Sequence, residues 1–209
     1  MTVATHLSRA DLVAMAAALA ADGVRRLLGI TGPPGAGKST LAVGLVAALA
    51  GRAVLVPMDG FHLDDDVLAA LSRSERKGAP DTFDADGYAH LLRRLREQQD
   101  PIVYAPEFRR EQELAAAGAI AVARDVPLVV TDGLYLLGDG AFGAVRQLLD
   151  EVWYVDVDPV VRRQRLVSRH VSHGRSPEAA ERWVSASDDA NAVVVQATRD
   201  RADLVVRLR

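Results

Sequence analysis

The sequence predicts an α/β protein built on a doubly wound, five-stranded, mostly parallel sheet with helices on both faces. Three observations predict it. Apolar runs of strand length alternate with helical patterns along the chain. Those runs carry Val and Leu on both faces, as a sheet covered from two sides requires. The first of them feeds directly into a Gly-rich phosphate loop.

In chain order, Ser8-x-x-Asp11 is a capping-box pattern opening a surface helix over 12–21. That apolar stretch is too short to span a bilayer and does not read as a signal peptide. A strand over 27–31 leads to a helix over 38–50, with Leu41, Leu45 and Leu49 on its apolar stripe. Strand 53–58 leads to helix 64–73, and strand 127–131 to helix 141–149. Strand 151–157 precedes a helix over 159–171 whose start is set by Asp158 as N-cap and Pro159 at the first helical position. Strand 204–208 closes the chain. Between about 74 and 125 the pattern loosens into a charged loop, an amphipathic helix over 84–99 and two short β-like pieces near 102–104 and 119–123. This segment reads as an insertion over the carboxyl edge of the sheet.

The chain has 209 residues, is 49% hydrophobic and has a formal net charge of −3, so one domain over 1–209 suffices. Cysteine is absent, which excludes disulfides, zinc-thiolate sites and cysteine nucleophiles. A cytoplasmic protein is expected, with no membrane partner. The mild acidity argues against a nucleic-acid-coating surface. Oligomeric state is not readable, and a homodimer stays open.

Gly32-Pro33-Pro34-Gly35-Ala36-Gly37-Lys38-Ser39 is a complete G-x-x-x-x-G-K-[ST] loop, which makes the fold a P-loop NTPase type and implies a nucleoside triphosphate. Lysine occurs only at Lys38 and Lys77, so a chance match is rare. Gly32, Gly35 and Gly37 permit positive φ and let backbone N–H groups converge on an anion. Lys38 supplies a point charge for the terminal phosphates, and the Ser39 hydroxyl is a hard oxygen ligand for Mg²⁺. The following helix points the positive end of its dipole at the same place. Pro34, Ala36 and Thr40 complete the expected nucleotide-binding set.

In open α/β sheets the ligand sits outside the carboxyl ends of the strands. There the second strand ends in Met58-Asp59-Gly60-Phe61-His62 and the third in Thr131-Asp132-Gly133. One carboxylate can orient a metal-bound water and the other can accept the proton of an attacking hydroxyl. A helix cap or turn is the competing role for each. Arg162, Arg165 and Arg169 share one face of helix 159–171, with Val160, Val167 and Val171 on another. The arginine stripe suits either neutralisation of a departing phosphoryl group or a solvated face, and the residues alone leave both open. His170, His173, Gly174 and Arg175 form a polar hinge suited to a lid over about 165–178. The two histidines lack a partner at zinc-binding spacing.

The segments in order are the loop octapeptide, Met58 to His62, Arg76-Lys77-Gly78-Ala79-Pro80-Asp81-Thr82-Phe83-Asp84, Tyr104-Ala105-Pro106-Glu107-Phe108-Arg109-Arg110 and Arg165 to His170. Together they resemble the phosphoribulokinase and uridine kinase family, most closely its bacterial nucleoside/nucleotide kinase-like or fructose transport system kinase branch, with pantothenate kinase a distant cousin. The resemblance implies that Asp59 is the base for the acceptor hydroxyl, that Lys38 and Ser39 are the phosphate lysine and magnesium hydroxyl, and that Arg165 and Arg169 are lid arginines. It further implies that Phe61, His62, Lys77, Tyr104, Phe108 and Arg110 face the acceptor. Asp132 departs from the Glu common in relatives, which favours a water-bridged metal role. Arg109 replaces a common Asp, which implies a more basic pocket.

The expected function is an ATP- and Mg²⁺-dependent kinase acting on a hydroxyl of a small metabolite: a sugar, a nucleoside or a pantothenate-like alcohol. A regulatory GTPase lacks its N-K-x-D segment here, since neither lysine follows Asn. A catalytically silent nucleotide-binding module associated with a transport system is the remaining alternative.

Overall fold

The computed structural model describes residues 4–208. Its main sheet has six parallel strands: β1 (Thr5–Leu7), β2 (Arg26–Thr31), β3 (Ala53–Leu55), β6 (Leu128–Asp132), β7 (Glu151–Asp156) and β8 (Leu204–Leu208). Across the sheet the order is β1-β8-β7-β2-β6-β3. The register sets Ile30 opposite Asp132 and Leu55 opposite Val130, so β2, β6 and β3 deliver their carboxyl ends side by side. These are the three strand ends that carry the phosphate loop, Asp132 and the segment leading to Asp59.

The central strands are buried on both faces, and alternation along each splits its side chains between two cores. Leu28, Ile30, Val130 and Trp153 pack under α1 (Arg9–Leu19) and α2 (Lys38–Ala48). Leu27, Val129, Val152 and Tyr154 face the opposite layer, built from α4 (Ala85–Arg96), the short α5 (Val145–Leu148) and an antiparallel hairpin of β4 (Ile102–Arg109) and β5 (Leu114–Ala123). Two apolar layers thus clamp one sheet. The first helix starts as its residues dictate: Asp11 N–H donates to Ser8 Oγ at 3.2 Å and Ser8 N–H to Asp11 Oδ2 at 2.9 Å. The buried Tyr88 hydroxyl of α4 donates to Thr131 Oγ1 at 2.6 Å, and that hydroxyl donates to Val56 O at 2.6 Å, pinning the strand just before Asp132.

Several elements differ from the sequence expectation. A sixth strand exists because Thr5–Leu7 pairs with Val206–Leu208, a tertiary contact that three residues cannot announce. Strand β3 stops at Leu55 rather than 58: Pro57 has no N–H to donate, and Met58–Phe61 turns into a 3₁₀ segment. The helix expected over 141–149 is a 3₁₀ turn, Gly140–Phe142, then α5, with Gly143 between them. Beyond α6 (Pro159–Ser172), the chain forms α7 (Pro177–Trp183), a π turn over Val184–Asp188 and α8 (Asp189–Gln196), elements that no sequence pattern above announces. On α6 neither stripe is buried as a whole. Arg162 and Leu166 are the buried pair, while Val160 and Val171 are exposed.

Gly32 ends β2 with φ 144°, and a Cβ there would lie 2.5 Å from the Val155 carbonyl oxygen on the neighbouring strand. Backbone cannot yield as a flexible side chain does. Gly32→Ala is therefore expected to cost about 3 kcal/mol and lower Tm by about 6–12 °C in a thermal melt.

Candidate active site

The loop joining β2 to α2 holds Gly35 and Gly37 at φ 78° and 97°, both left-handed. A Cβ on Gly35 would stand 2.9 Å from Leu166 Cγ and 3.0 Å from Arg162 O, so α6 presses directly on the loop. Gly37 is the N-cap of α2 and brings no side-chain cap, which leaves the first-turn N–H groups available to an anion. Lys38 Nζ donates to Pro33 O at 3.1 Å, so its ammonium lies curled over the same loop.

Two acids meet this cradle. Ser39 Oγ donates to Asp132 Oδ2 at 2.6 Å, joining the start of α2 to the end of β6. Asp132 is only 7% exposed, and burial raises its pKa against the opposing help of the Ser39 hydroxyl, with Asp59 adding to the rise. Asp59, in the 3₁₀ segment after β3, shares a cavity of about 670 Å³ with Lys38, Ser39 and Asp132. Its Oδ2 accepts from Arg110 Nη2 at 2.7 Å. Enclosure lowers the Lys38 pKa to about 8, opposed by Asp132 and Asp59.

The hydroxyl and carboxylate of Ser39 and Asp132 are hard oxygens in a pocket that disfavours the bare carboxylate, so they fit a magnesium ion. Among the described residues no three His, Cys, Asp or Glu side chains converge on a point. Two protein oxygens completed by water and phosphate oxygens are how Mg²⁺ is commonly held.

The acceptor side is aromatic and paired. The His62 ring lies 4.0 Å from the Phe83 centroid and 4.7 Å from that of Phe108, and its Nδ1 is 2.8 Å from Asp59 O. Burial lowers the His62 pKa against the opposing pull of Asp59, which favours the neutral ring. Lys77 binds Asp65 at 2.8 Å and Glu113 at 3.0 Å and sits 5.5 Å from the Phe108 centroid. A register shift between Ala105 and Glu107 explains which β4 residues reach this wall. Val103 and Ala105 face the core, and after the bulge Phe108 turns to the cavity, with Arg110 just beyond the strand.

Two expectations fail here. Tyr104 falls on the opposite face of β4, is 59% exposed and does not reach the cavity. Phe61 instead packs into the core, 5.2 Å from the Tyr88 ring. Gly32, Ala36, Gly37 and Thr40 belong to the loop and the first turn of α2, whereas Pro34, Gly35, Lys38 and Ser39 also line the cavity.

The arginine stripe divides. Arg162 is buried and paired with Asp189. Arg165 reaches over the loop, its Nη1 3.8 Å from where a Gly37 Cβ would lie. Arg169 lines the cavity, 3.8 Å from Asp188, whose other oxygen is 2.8 Å from His170 Nε2.

The sequence pattern of the Phosphoribulokinase / Uridine kinase family matches residues 27–208. The chain belongs to this family. It is a kinase with the P-loop fold. A crystal structure from Silicibacter sp. TM1040, described as a candidate fructose transport system kinase, is 35% identical with a TM-score of 0.86, over 95% of this chain and 98% of that one. The ATP-dependent kinase-like protein notR' of Aspergillus versicolor is 37% identical over 145 residues, 65% of this chain and 84% of the relative. The uridine kinase of Latilactobacillus sakei is 25% identical over 186 residues, 86% of this chain and 84% of that one.

Sequence reasoning missed parts of the kinase's cavity wall: Asp65 and Glu113, which hold Lys77, and Trp183 of α7. The acids carried no motif, and Trp183 lies in a stretch with no clear spacing signal.

The raised pKa of Asp132 has a stability consequence. Its folded value lies above its unfolded one, so ionisation costs stability at neutral pH, and the cost fades as pH falls through the folded value. Asp132→Asn keeps an acceptor for Ser39 Oγ and removes the charge. It is expected to raise Tm at pH 7 while weakening turnover.

Proposed function

We propose that the protein transfers the γ-phosphoryl group of ATP to a hydroxyl of a small metabolite, with Mg²⁺ held at Ser39 and Asp132. The observation that carries this reading is the convergence of Asp59, Lys38 and the Ser39–Asp132 pair on one cavity. In this reading residues 1–209 act as one domain in the cytoplasm, with the 74–125 segment covering the acceptor and a lid over about 165–178. Residues 1–3 and 209 lie outside the described part. Among the described residues no helix is long and apolar enough to cross a membrane.

The N–H groups of the loop and α2 hold the β- and γ-phosphates, and Lys38 neutralises their charge. Ser39 and Asp132 would hold the Mg²⁺, which would supply positive charge to the phosphate oxygens. The Asp59 carboxylate accepts the acceptor's hydroxyl proton as its oxygen bonds to the γ-phosphorus. The bond from that phosphorus to the β–γ bridging oxygen breaks, ADP leaves, and Arg165 and Arg169 stabilise the charge that develops on it. Arg110 must swing from Asp59 or share it for the proton to transfer. Lys77, His62, Phe108 and Arg110 shape the acceptor side.

ADP release with a panel of sugars, nucleosides and pantothenate-like alcohols tests this. The proposal expects acceptor-stimulated turnover dependent on Mg²⁺. A protein that binds ATP with no stimulation by any acceptor is the silent nucleotide-binding module instead.

A further inference from the structure

A second cavity, of about 570 Å³, adjoins the first and shares Arg175, Trp183, Ser187 and Asn191 with it. Its remaining wall combines small apolar side chains, Ala79, Pro80, Ala179, Ala186, Ala190 and Val194, with Glu75, Arg76 and Arg182 at its rim. No residue of the phosphate loop touches it. The segment that walls it at 75–80 is the one that sends Lys77 and Gly78 into the first cavity. The second cavity therefore opens from the acceptor side.

The junction is polar. Asn191 Nδ2 lies 3.7 Å from where a Gly78 Cβ would stand, so a side chain at 78 would begin to close the passage. Gly78 is held there at φ 98°, its N–H donating to Thr82 Oγ1 at 3.0 Å and its carbonyl accepting from Tyr135 Oη at 2.6 Å. Ser187 adds a hydroxyl to the same neck, and the Arg175 guanidinium lies 4.0 Å from the Trp183 ring centroid at its edge.

From this continuity we infer that the acceptor is a two-ended molecule: a hydroxyl head beside Asp59, a polar linking group in the neck at Asn191 and Ser187, and an apolar body in the second cavity. The inference rests on the kinase reading for the position of the head. A simple sugar reaches only the first cavity, whereas an amide-linked alcohol with an aliphatic body reaches both. Each buried methylene of such a body contributes about a fourfold gain in affinity.

N-alkyl glycolamides, from methyl to pentyl, carry a hydroxyl, an amide and a tail of graded length. Their dissociation constants, measured by calorimetry on the full chain with ATP and Mg²⁺ omitted, are expected to tighten on the order of 100-fold across that series. Ala190→Trp, at an exposed helix position lining only the second cavity, is expected to cancel the dependence on tail length while leaving the methyl compound's affinity unchanged. Affinity independent of tail length, no binding of any member, or a length dependence that survives Ala190→Trp overturns the inference. ADP release with the same compounds reports separately on the kinase reading. Length-dependent binding without phosphorylation keeps the second cavity as a ligand site and refutes the head's role as acceptor.

Discussion

Asp59→Asn is expected to lower kcat by two to four decades while leaving the ATP dissociation constant within about twofold of its original value. The side chain keeps its shape but cannot take a proton. Binding survives because the loop N–H groups, Lys38 and Ser39 are untouched. The change also breaks the 2.7 Å ion pair with Arg110. With side chains 31% and 55% exposed, that pair contributes at most about 1 kcal/mol, so Tm should hardly move. A loss of turnover at constant Tm and constant nucleotide affinity separates proton transfer from folding. Unchanged kcat removes Asp59 from the mechanism.

Lys38→Ala should act on both quantities. The ammonium is the one cation built into the loop itself, and removing it should weaken ATP binding at least about tenfold and lower kcat by about two to three decades. A pH signature accompanies this. Enclosure brings the Lys38 pKa down to about 8 in the free protein, and a bound polyanion favours the charged form and raises it. Protonation and ATP binding are therefore linked in the same direction. Above about pH 8, ATP affinity should fall as pH rises, with a slope approaching one proton. Calorimetry in buffers of different ionisation enthalpy should show proton uptake on binding. Both effects should vanish in Lys38→Ala. ATP's own phosphates are already ionised in that range and do not mimic the effect.

The sequence carried the centre of the molecule better than its edges. Strands over 27–31 and 127–131 were legible because they are buried on both faces and read as continuous apolar runs. The phosphate loop was legible because its residue types are dictated by backbone conformation, as the left-handed Gly35 and Gly37 show. Asp59 and Asp132 were legible as strand ends, though only the pairing of β2, β6 and β3 brings them together. Thr5–Leu7 was not, since an edge strand of three residues owes its existence to β8. Tyr104 was expected at the acceptor because its segment resembles one that faces the acceptor in relatives, which does not fix the side of each residue. Period-two alternation fixes sides only until a bulge shifts it, and the irregularity at Pro106 sends Phe108 inward and leaves Tyr104 outside. On α6 the sequence showed two stripes but not which residues are buried, because packing on Gly35 selects Arg162 and Leu166.

The most direct test of the central claim is a structure with Mg²⁺, a non-hydrolysable ATP analogue and an acceptor found by the turnover panel. The account predicts the β- and γ-phosphates against the N–H groups of residues 35–40, with an acceptor hydroxyl about 2.6–3.2 Å from the Asp59 carboxylate and facing the γ-phosphorus. A triphosphate seated elsewhere, or an acceptor hydroxyl out of reach of Asp59 with another base beside it, contradicts it.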